Sequence, residues 1–349
     1  MGPQRIDVHH HFVPPFYAQA LKEAGGDPSG WTIPEWTVER DIQFDDEENI
    51  SFSFLTITAP GAGILPLGDQ QAEFCRMANE YAAKVRSEKP KRYGFLATIP
   101  SLLDPVSAHN EIIHALDVLG ADGIILYTRY GRGNQYLGHP DFAATWDLLD
   151  SRKAIILVHP THPVDTNLVN DMLPQPMIDY PHETTRTAMD LITSGTIRSH
   201  PNVKIILSHA GGTLPYLVLR PAAMLPYVPS AKRLSAAQGE GMQISPEASI
   251  TSFIEDAKSF YFDTALSADP LQLDLLKNFA KPGHVLFGSD FPYAPTPAIK
   301  HMNKLMVEYE KKDKQFVDSV SFGSALKLFP RLSGTLRVGY PDVKAWSMI

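Results

Sequence analysis

Eight short apolar runs rich in β-branched and aromatic residues punctuate the chain. They span 5–12 (RIDVHHHF), 51–58 (SFSFLTIT), 93–100 (YGFLATIP), 123–128 (GIILYT), 154–160 (AIILVHP), 204–210 (KIILSHA), 260–266 (FYFDTAL) and 284–291 (HVLFGSDF). Several are almost continuously apolar, the pattern of strands buried on both faces. Helical periodicity fills the intervals. Residues 73–89 carry Phe74, Met77, Ala78, Tyr81 and Val85 at helical spacing and stop before Pro90. Residues 104–119 open on Asp104 as N-cap with Pro105 at the first helical position, and end at Gly120. Residues 184–199, 270–279 and 296–312 read as helices too. Strands that alternate with helices pair in parallel through right-handed crossovers, and eight of them predict closure into a TIM-type (β/α)8 barrel.

Two stretches interrupt the rhythm. After the first strand comes an insertion at about 13–50, containing GGDPSGW (25–31), Pro34 and Trp36, longer than a simple connection and expected to act as a lid. Val164–Pro181, after the fifth strand, reads as a loop with Pro174, Pro176 and Pro181. The expected organisation is one barrel domain over 1–331 and a C-terminal tail at 332–349.

Composition narrows the partners. A 349-residue chain with 44% apolar residues has ample material for a large core, and a formal net charge of −8 speaks against nucleic acid or an anionic membrane as the main partner. No apolar run is long enough to span a bilayer, and no signal-peptide core is visible at the N-terminus. The single cysteine, Cys75, excludes an internal disulfide and suits a reducing compartment, so a cytosolic protein is expected.

The chemistry gathers at the C-terminal ends of the strands, where barrels of this kind keep their active sites. Residues two apart on a strand share a face, so His9 and His11 aim two imidazoles at one point while His10 faces away. The alternative is a histidine run satisfied by local hydrogen bonds. His159 ends the fifth strand, His209 the sixth and Asp290 the eighth, and Asp263 lies inside the seventh. Each is costly to bury unless paired or ligated. Three histidines and one aspartate make a zinc-like ligand set with a position left for water or substrate. Gly131-x-Gly133 lacks the third glycine and the strand-to-helix setting of a dinucleotide site, so no organic cofactor is implied.

This arrangement resembles the amidohydrolase superfamily, and within it the branch of metal-dependent decarboxylases typified by aminocarboxymuconate semialdehyde decarboxylase. The landmarks are Asp7-x-His9-x-His11, His159-Pro160, Glu183-Thr184-Thr185, His209-Ala210-Gly211-Gly212 and Gly288-Ser289-Asp290-Phe291-Pro292. The resemblance implies His9, His11, His159 and Asp290 as ligands of one divalent ion, Zn2+ foremost with Mn2+ as the alternative. It makes His209 an acid/base beside the ion, and Asp290 or His209 the source of the proton. Arg220 matches an arginine that reaches a substrate carboxylate across a dimer interface, which implies a homodimer. The second substrate-binding arginine of the branch has no clear match, Arg40 being near but poorly spaced.

The loops GGDPSGW, TRYG (128–131), HPTHPVDT (159–166), LPQPM (173–177) and DYPHET (179–184) resemble those of decarboxylases of 2-hydroxybenzoates. The implied substrate is a small aromatic acid, 6-methylsalicylate foremost, giving 3-methylphenol and CO2. His162 and His182 are placed on loops facing the substrate, Glu183 is a candidate to orient a ligand histidine, and Trp31, Trp36, Phe291 and Tyr293 are candidate pocket walls. Three alternatives stay open: decarboxylation of another hydroxybenzoate, metal-dependent hydrolysis of a lactone, ester or amide with Asp290 as base, and a barrel kept for binding alone. Against hydrolysis stands the fourth strand's end, Tyr127-Thr128-Arg129, which offers no lysine to bridge a second ion.

Overall fold

The computed structural model describes residues 4–228 and 246–332, so all of the expected tail but Leu332 lies outside the described residues. Eight strands form one parallel sheet in chain order: β1 (Arg5–His11), β2 (Ile50–Thr56), β3 (Tyr93–Thr98), β4 (Gly123–Tyr127), β5 (Ile155–His159), β6 (Lys204–Leu207), β7 (Tyr261–Asp263) and β8 (Val285–Leu286). The segment after β8 returns to β1. Val8 donates its N–H to the Phe287 carbonyl at 3.0 Å, Asp290 to His9 at 2.9 Å and His11 to Phe291 at 2.7 Å. These bonds close the ring. The architecture is the (β/α)8 barrel that the alternation predicts.

The strands are as buried as their apolar runs require: β1, β3 and β4 hold no exposed residue. Register then sets the height of each strand end. His11 lies opposite Thr56 of β2, and Tyr127 of β4 opposite His159 of β5, so polar residues from separate strands emerge at one level. The regular seventh and eighth strands are shorter than their apolar runs; a turn follows Thr264, while past Leu286 the chain runs on to Phe291 bonded to β1 without regular strand geometry.

Helices expected at 73–89 and 104–119 are present as α3 (Asp69–Glu88) and α4 (Pro105–Ile113), the latter capped by the Asp104 side chain and prolonged by a π-turn over His114–Val118. The insertion holds two helices that periodicity did not mark, α1 (Pro15–Glu23) and α2 (Val38–Glu47). Residues 143–151 likewise form a helix, α5 (Ala143–Ser151). The loop expected over Val164–Pro181 stops early, since α6 (Gln175–Thr193) already begins at Gln175. Pro176 sits where the missing N–H is unneeded, and Pro181 is tolerated within the helix while its carbonyl accepts the Thr185 hydroxyl at 2.9 Å. Further helices are α7 (Leu219–Met224), α8 (Pro246–Ala257), and, where the sequence predicts them, α9 (Pro270–Phe279) and α10 (Thr296–Asp318). No described helix is long and apolar enough to cross a membrane.

Candidate metal centre and substrate cavity

Strand alternation on β1 turns His9 and His11 to the barrel axis and His10 to the outer layer, and all three are fully buried. Each axial histidine has its Nδ1 committed. His9 Nδ1 lies 2.8 Å from the Asp263 carboxylate, which can only accept. His159 Nδ1 lies 2.7 Å from the Pro160 carbonyl, again an acceptor. His11 Nδ1 meets the Thr56 hydroxyl at 2.8 Å, and that hydroxyl gives its one hydrogen to the His10 carbonyl, so it accepts from His11. The network therefore assigns the proton to Nδ1 in all three rings and leaves three Nε2 lone pairs facing one point.

Asp290 completes the group. Its Oδ1 lies 3.1 Å from His11 Nε2 and 3.5 Å from His9 Nε2, the two imidazole nitrogens are 3.1 Å apart, and the four donor atoms including that of His159 all lie within 4.8 Å of one another. Donors around a tetrahedral ion with bonds of about 2.1 Å stand roughly 3.4 Å apart. The residues fit a divalent cation. Without positive charge at their centre, three lone pairs and a carboxylate would repel each other in a buried site.

The charges point the same way. Burial works against a charged His9, yet the carboxylates of Asp263 and Asp290 outweigh it and push the imidazole up to about 9. Burial brings His11 down to about 4 with His9 beside it, and holds His159 well below the usual range with the neighbouring imidazoles adding to it. Burial opposes ionisation of Asp290, but the imidazoles of His11, His209 and His9 around it hold its carboxyl well below the usual range. The site thus sets one positive charge against an ionised aspartate, and a cation bound there would take the place of the second proton that His9 otherwise carries on Nε2.

His209 stands just outside this group. Its Nε2 is 3.4 Å from Asp290 Oδ2, its N–H donates to Asp263 Oδ1 at 2.9 Å, and its Nδ1 is buried without a partner. Both His209 (φ 54) and Asp290 (φ 63) adopt the left-handed region that side chains other than glycine seldom take. Glycines permit the close approaches around them. A Cβ on Gly212 would stand 2.0 Å from the Pro181 carbonyl oxygen, and one on Gly288 would stand 2.8 Å from His9 Cβ.

A cavity of about 240 Å³ opens onto His159, His209 and Asp290. Its walls are mainly apolar, with Met177, Leu266, Ala294 and Ala298 among them, and Asp27, Ser29 and Trp31 of the insertion also line it. The Trp31 indole donates to the Tyr293 carbonyl at 2.9 Å, and Gln175 N–H to the Ser29 carbonyl at 3.4 Å, fastening the insertion over the barrel mouth.

Of the aromatic wall candidates, Trp31 and Tyr293 line the cavity, whereas Trp36 and Phe291 are core residues packed elsewhere. His162 bonds Gln175 at 2.8 Å and His182 lies on α6, and neither is among the lining side chains. Glu183 receives the Tyr136 hydroxyl at 3.0 Å and pairs with Arg129 and Arg186, so it orients no ligand histidine. Arg40 is exposed and paired with Glu35, and Arg220 is exposed on α7, away from the cavity of its own chain. The carboxylate that does hold one of the converging histidines is Asp263, which bonds His9 and to which the sequence gives no role. The signal was a lone acidic residue in the otherwise apolar FYFDTAL run. The cavity residues Asp27 and Tyr180 were also passed over.

Comparison with known proteins gives the family and the fold. A 6-methylsalicylic acid decarboxylase of Penicillium expansum is 51% identical over 334 residues, covering 95% of this chain and 98% of its own. A solved structure of an amidohydrolase II superposes with a TM-score of 0.79 at 29% identity, covering 94% of this chain and 100% of its own. A dihydroxybenzoic acid decarboxylase of Polaromonas, solved with bound manganese, shares the fold with a TM-score of 0.73 at 20% identity over 94% of this chain and 97% of its own. The amidohydrolase family model matches residues 6–331, and the chain belongs to that family.

Proposed function

We propose that this chain is a metal-dependent decarboxylase that converts 6-methylsalicylate to 3-methylphenol and CO2. The observation that carries the reading is the convergence of three Nε2 lone pairs and the Asp290 carboxylate at the foot of a small apolar cavity. The name and near-full coverage of the Penicillium relative support the substrate. His9, His11, His159 and Asp290 hold the ion in this reading. Three imidazoles and a carboxylate suit Zn2+, with Mn2+, bound in the Polaromonas neighbour, as the alternative.

An ion held by these four residues would supply Lewis-acid chemistry toward the oxygens of an acidic substrate. The chain's residues do the rest. The apolar walls exclude water and hold the ring, its methyl group included, in one orientation. His209, or Asp290 3.4 Å away once it has taken the proton of the substrate's ortho hydroxyl, delivers a proton to the carbon that carries the carboxylate, as the ortho oxygen feeds electrons into the ring. The bond from that carbon to the carboxylate then breaks, its electron pair restores the aromatic ring, and CO2 leaves.

Arg220 contributes to substrate binding across a homodimer in this reading. Support comes from the exposed apolar side chains around it: Tyr216 (81% exposed), Leu219 (59%), Met224 (55%) and Tyr227 (74%). The lone cysteine, Cys75, is a buried free thiol, in keeping with the cytosol.

The test is turnover of 6-methylsalicylate, following CO2 and 3-methylphenol, with metal analysis of the same preparation. Product is expected from wild type, and none from His159→Ala. A loaded protein that releases no CO2 from this or any other 2-hydroxybenzoate, yet opens a lactone ring, would overturn the decarboxylase reading in favour of a hydrolase.

A further inference from the structure

Behind β1, on the face turned away from the cavity, His10 joins two buried carboxylates. Its Nδ1 is 3.1 Å from Asp7 Oδ2 and its Nε2 is 2.8 Å from Asp41 Oδ2, with all three residues fully buried. Both ring nitrogens face carboxylates, so both donate. Asp41 sits on α2 of the insertion and is fixed in turn by the Trp36 indole and the Tyr93 hydroxyl, each at 2.6 Å. At the other end, Asp7 Oδ1 accepts the N–H groups of His9 and Ser289, each at 3.1 Å. Ser289 immediately precedes Asp290. One hydrogen-bonded path therefore runs from the insertion helix through His10 to the backbone of two strand ends, and these carry His9, His11 and Asp290.

We propose that His10 and Asp41 are positioning residues for the metal centre, a latch by which the insertion helix fixes the spacing of three of the four ligands. The proposal rests on the reading that His9, His11, His159 and Asp290 hold one divalent ion. Groups that orient ligands from behind commonly contribute 10- to 100-fold in metal affinity, about the effect expected here. His10, Asp41 and Asp45 also stand close enough together to suggest a second cation site. Their hydrogen bonds argue otherwise: both nitrogens of His10 and both oxygens of Asp41 already have protein partners, and Asp45 accepts the Ser53 hydroxyl at 3.1 Å.

The test is Zn2+ affinity, read by competition with a chromogenic chelator, for wild type, His10→Asn and Asp41→Asn. Each variant is expected to bind about 10- to 100-fold more weakly. The double variant should lose little more, because both substitutions cut one path. Tyr93→Phe removes a single bond to Asp41 and gives a milder version should the others fold poorly; a fewfold loss is expected. Val85→Ala, a buried truncation on α3 outside this network, controls for general loss of stability and should keep wild-type affinity. Variants that melt earlier yet bind Zn2+ like wild type overturn the latch alone. A second equivalent of Zn2+ in wild type, lost in Asp41→Asn, overturns it in favour of a second ion. A wild type that takes up no Zn2+ or Mn2+ overturns the metal-centre reading, and this inference with it.

Discussion

Asp263→Asn isolates the tautomer argument on which the metal centre depends. Asp263 is fully buried and receives three hydrogen bonds: His9 Nδ1 at 2.8 Å on Oδ2, and the N–H groups of His209 at 2.9 Å and Ala265 at 3.0 Å on Oδ1. An asparagine satisfies the two backbone donors with its amide oxygen, which turns its NH2 group toward His9. His9 Nδ1 must then accept, its proton moves to Nε2, and the lone pair aimed at the ion is lost. Restoring the old tautomer sets two N–H groups against each other and forfeits a charge-assisted bond of about 1.5–3 kcal/mol. A 10- to 100-fold loss of affinity, the common effect of removing a ligand's orienting group, corresponds to about 1.4–2.8 kcal/mol, so the two routes agree. Chelator competition measures the affinity, and turnover at saturating ion shows whether the reloaded site still works. A folded Asp263→Asn that binds the ion within twofold of wild type would refute the tautomer assignment.

Three further outcomes follow from the same geometry. Stripping the ion should lower the melting temperature by roughly 4 °C relative to protein held at about 100 times its dissociation constant, where binding adds about 2.7 kcal/mol; an unchanged melting curve means the folded state gains nothing from the ion. Gly288→Ala places a methyl 2.8 Å from His9 Cβ and 3.2 Å from Asp263 Cβ, and should cost about 1–3 kcal/mol while weakening ion binding; calorimetry and chelator competition check both. Tyr293→Phe should leave the melting temperature of the free protein unchanged or slightly raised, because the buried hydroxyl has no partner, while raising the KM for 6-methylsalicylate; an unchanged KM means that hydroxyl never meets the substrate.

The barrel was legible because a parallel sheet buried on both faces writes each strand as an apolar run, and polar residues at the ends of such runs stand out. His159, His209 and Asp290 are conspicuous for that reason. What escaped has a different physical origin. The first turns of α6 carry three prolines in or beside them, and proline marks a loop unless the helix N-terminus that tolerates it is seen. The insertion helices α1 and α2 are short, nine and ten residues, so each repeats its apolar face over fewer than three turns. The roles of Asp263 and Asp41 are contacts across 254 and 31 residues, and single-sequence periodicity holds no information about which buried histidine a carboxylate will meet.

Backbone strain at the site completes the physical picture. Among the described residues, six other than glycine take positive φ, and three of these, His209, Leu266 and Asp290, line the cavity. Such residues cost about 1–3 kcal/mol each and persist only where their surroundings over-determine them. At His209 and Asp290 the determinants are visible: the His209 N–H is held by Asp263, and the Asp290 N–H by the His9 carbonyl. A strand continued in extended form would carry the next side chains past the barrel rim. The left-handed turn instead folds the His209 imidazole and the Asp290 carboxylate back over the axis, where His9, His11 and His159 already point. The groups that hold these strained turns are thus the His9 carbonyl and Asp263, the carboxylate that sets the His9 tautomer. Strain and ligand geometry share the same hydrogen bonds, so a change that relaxes one turn disturbs the other half of the site as well.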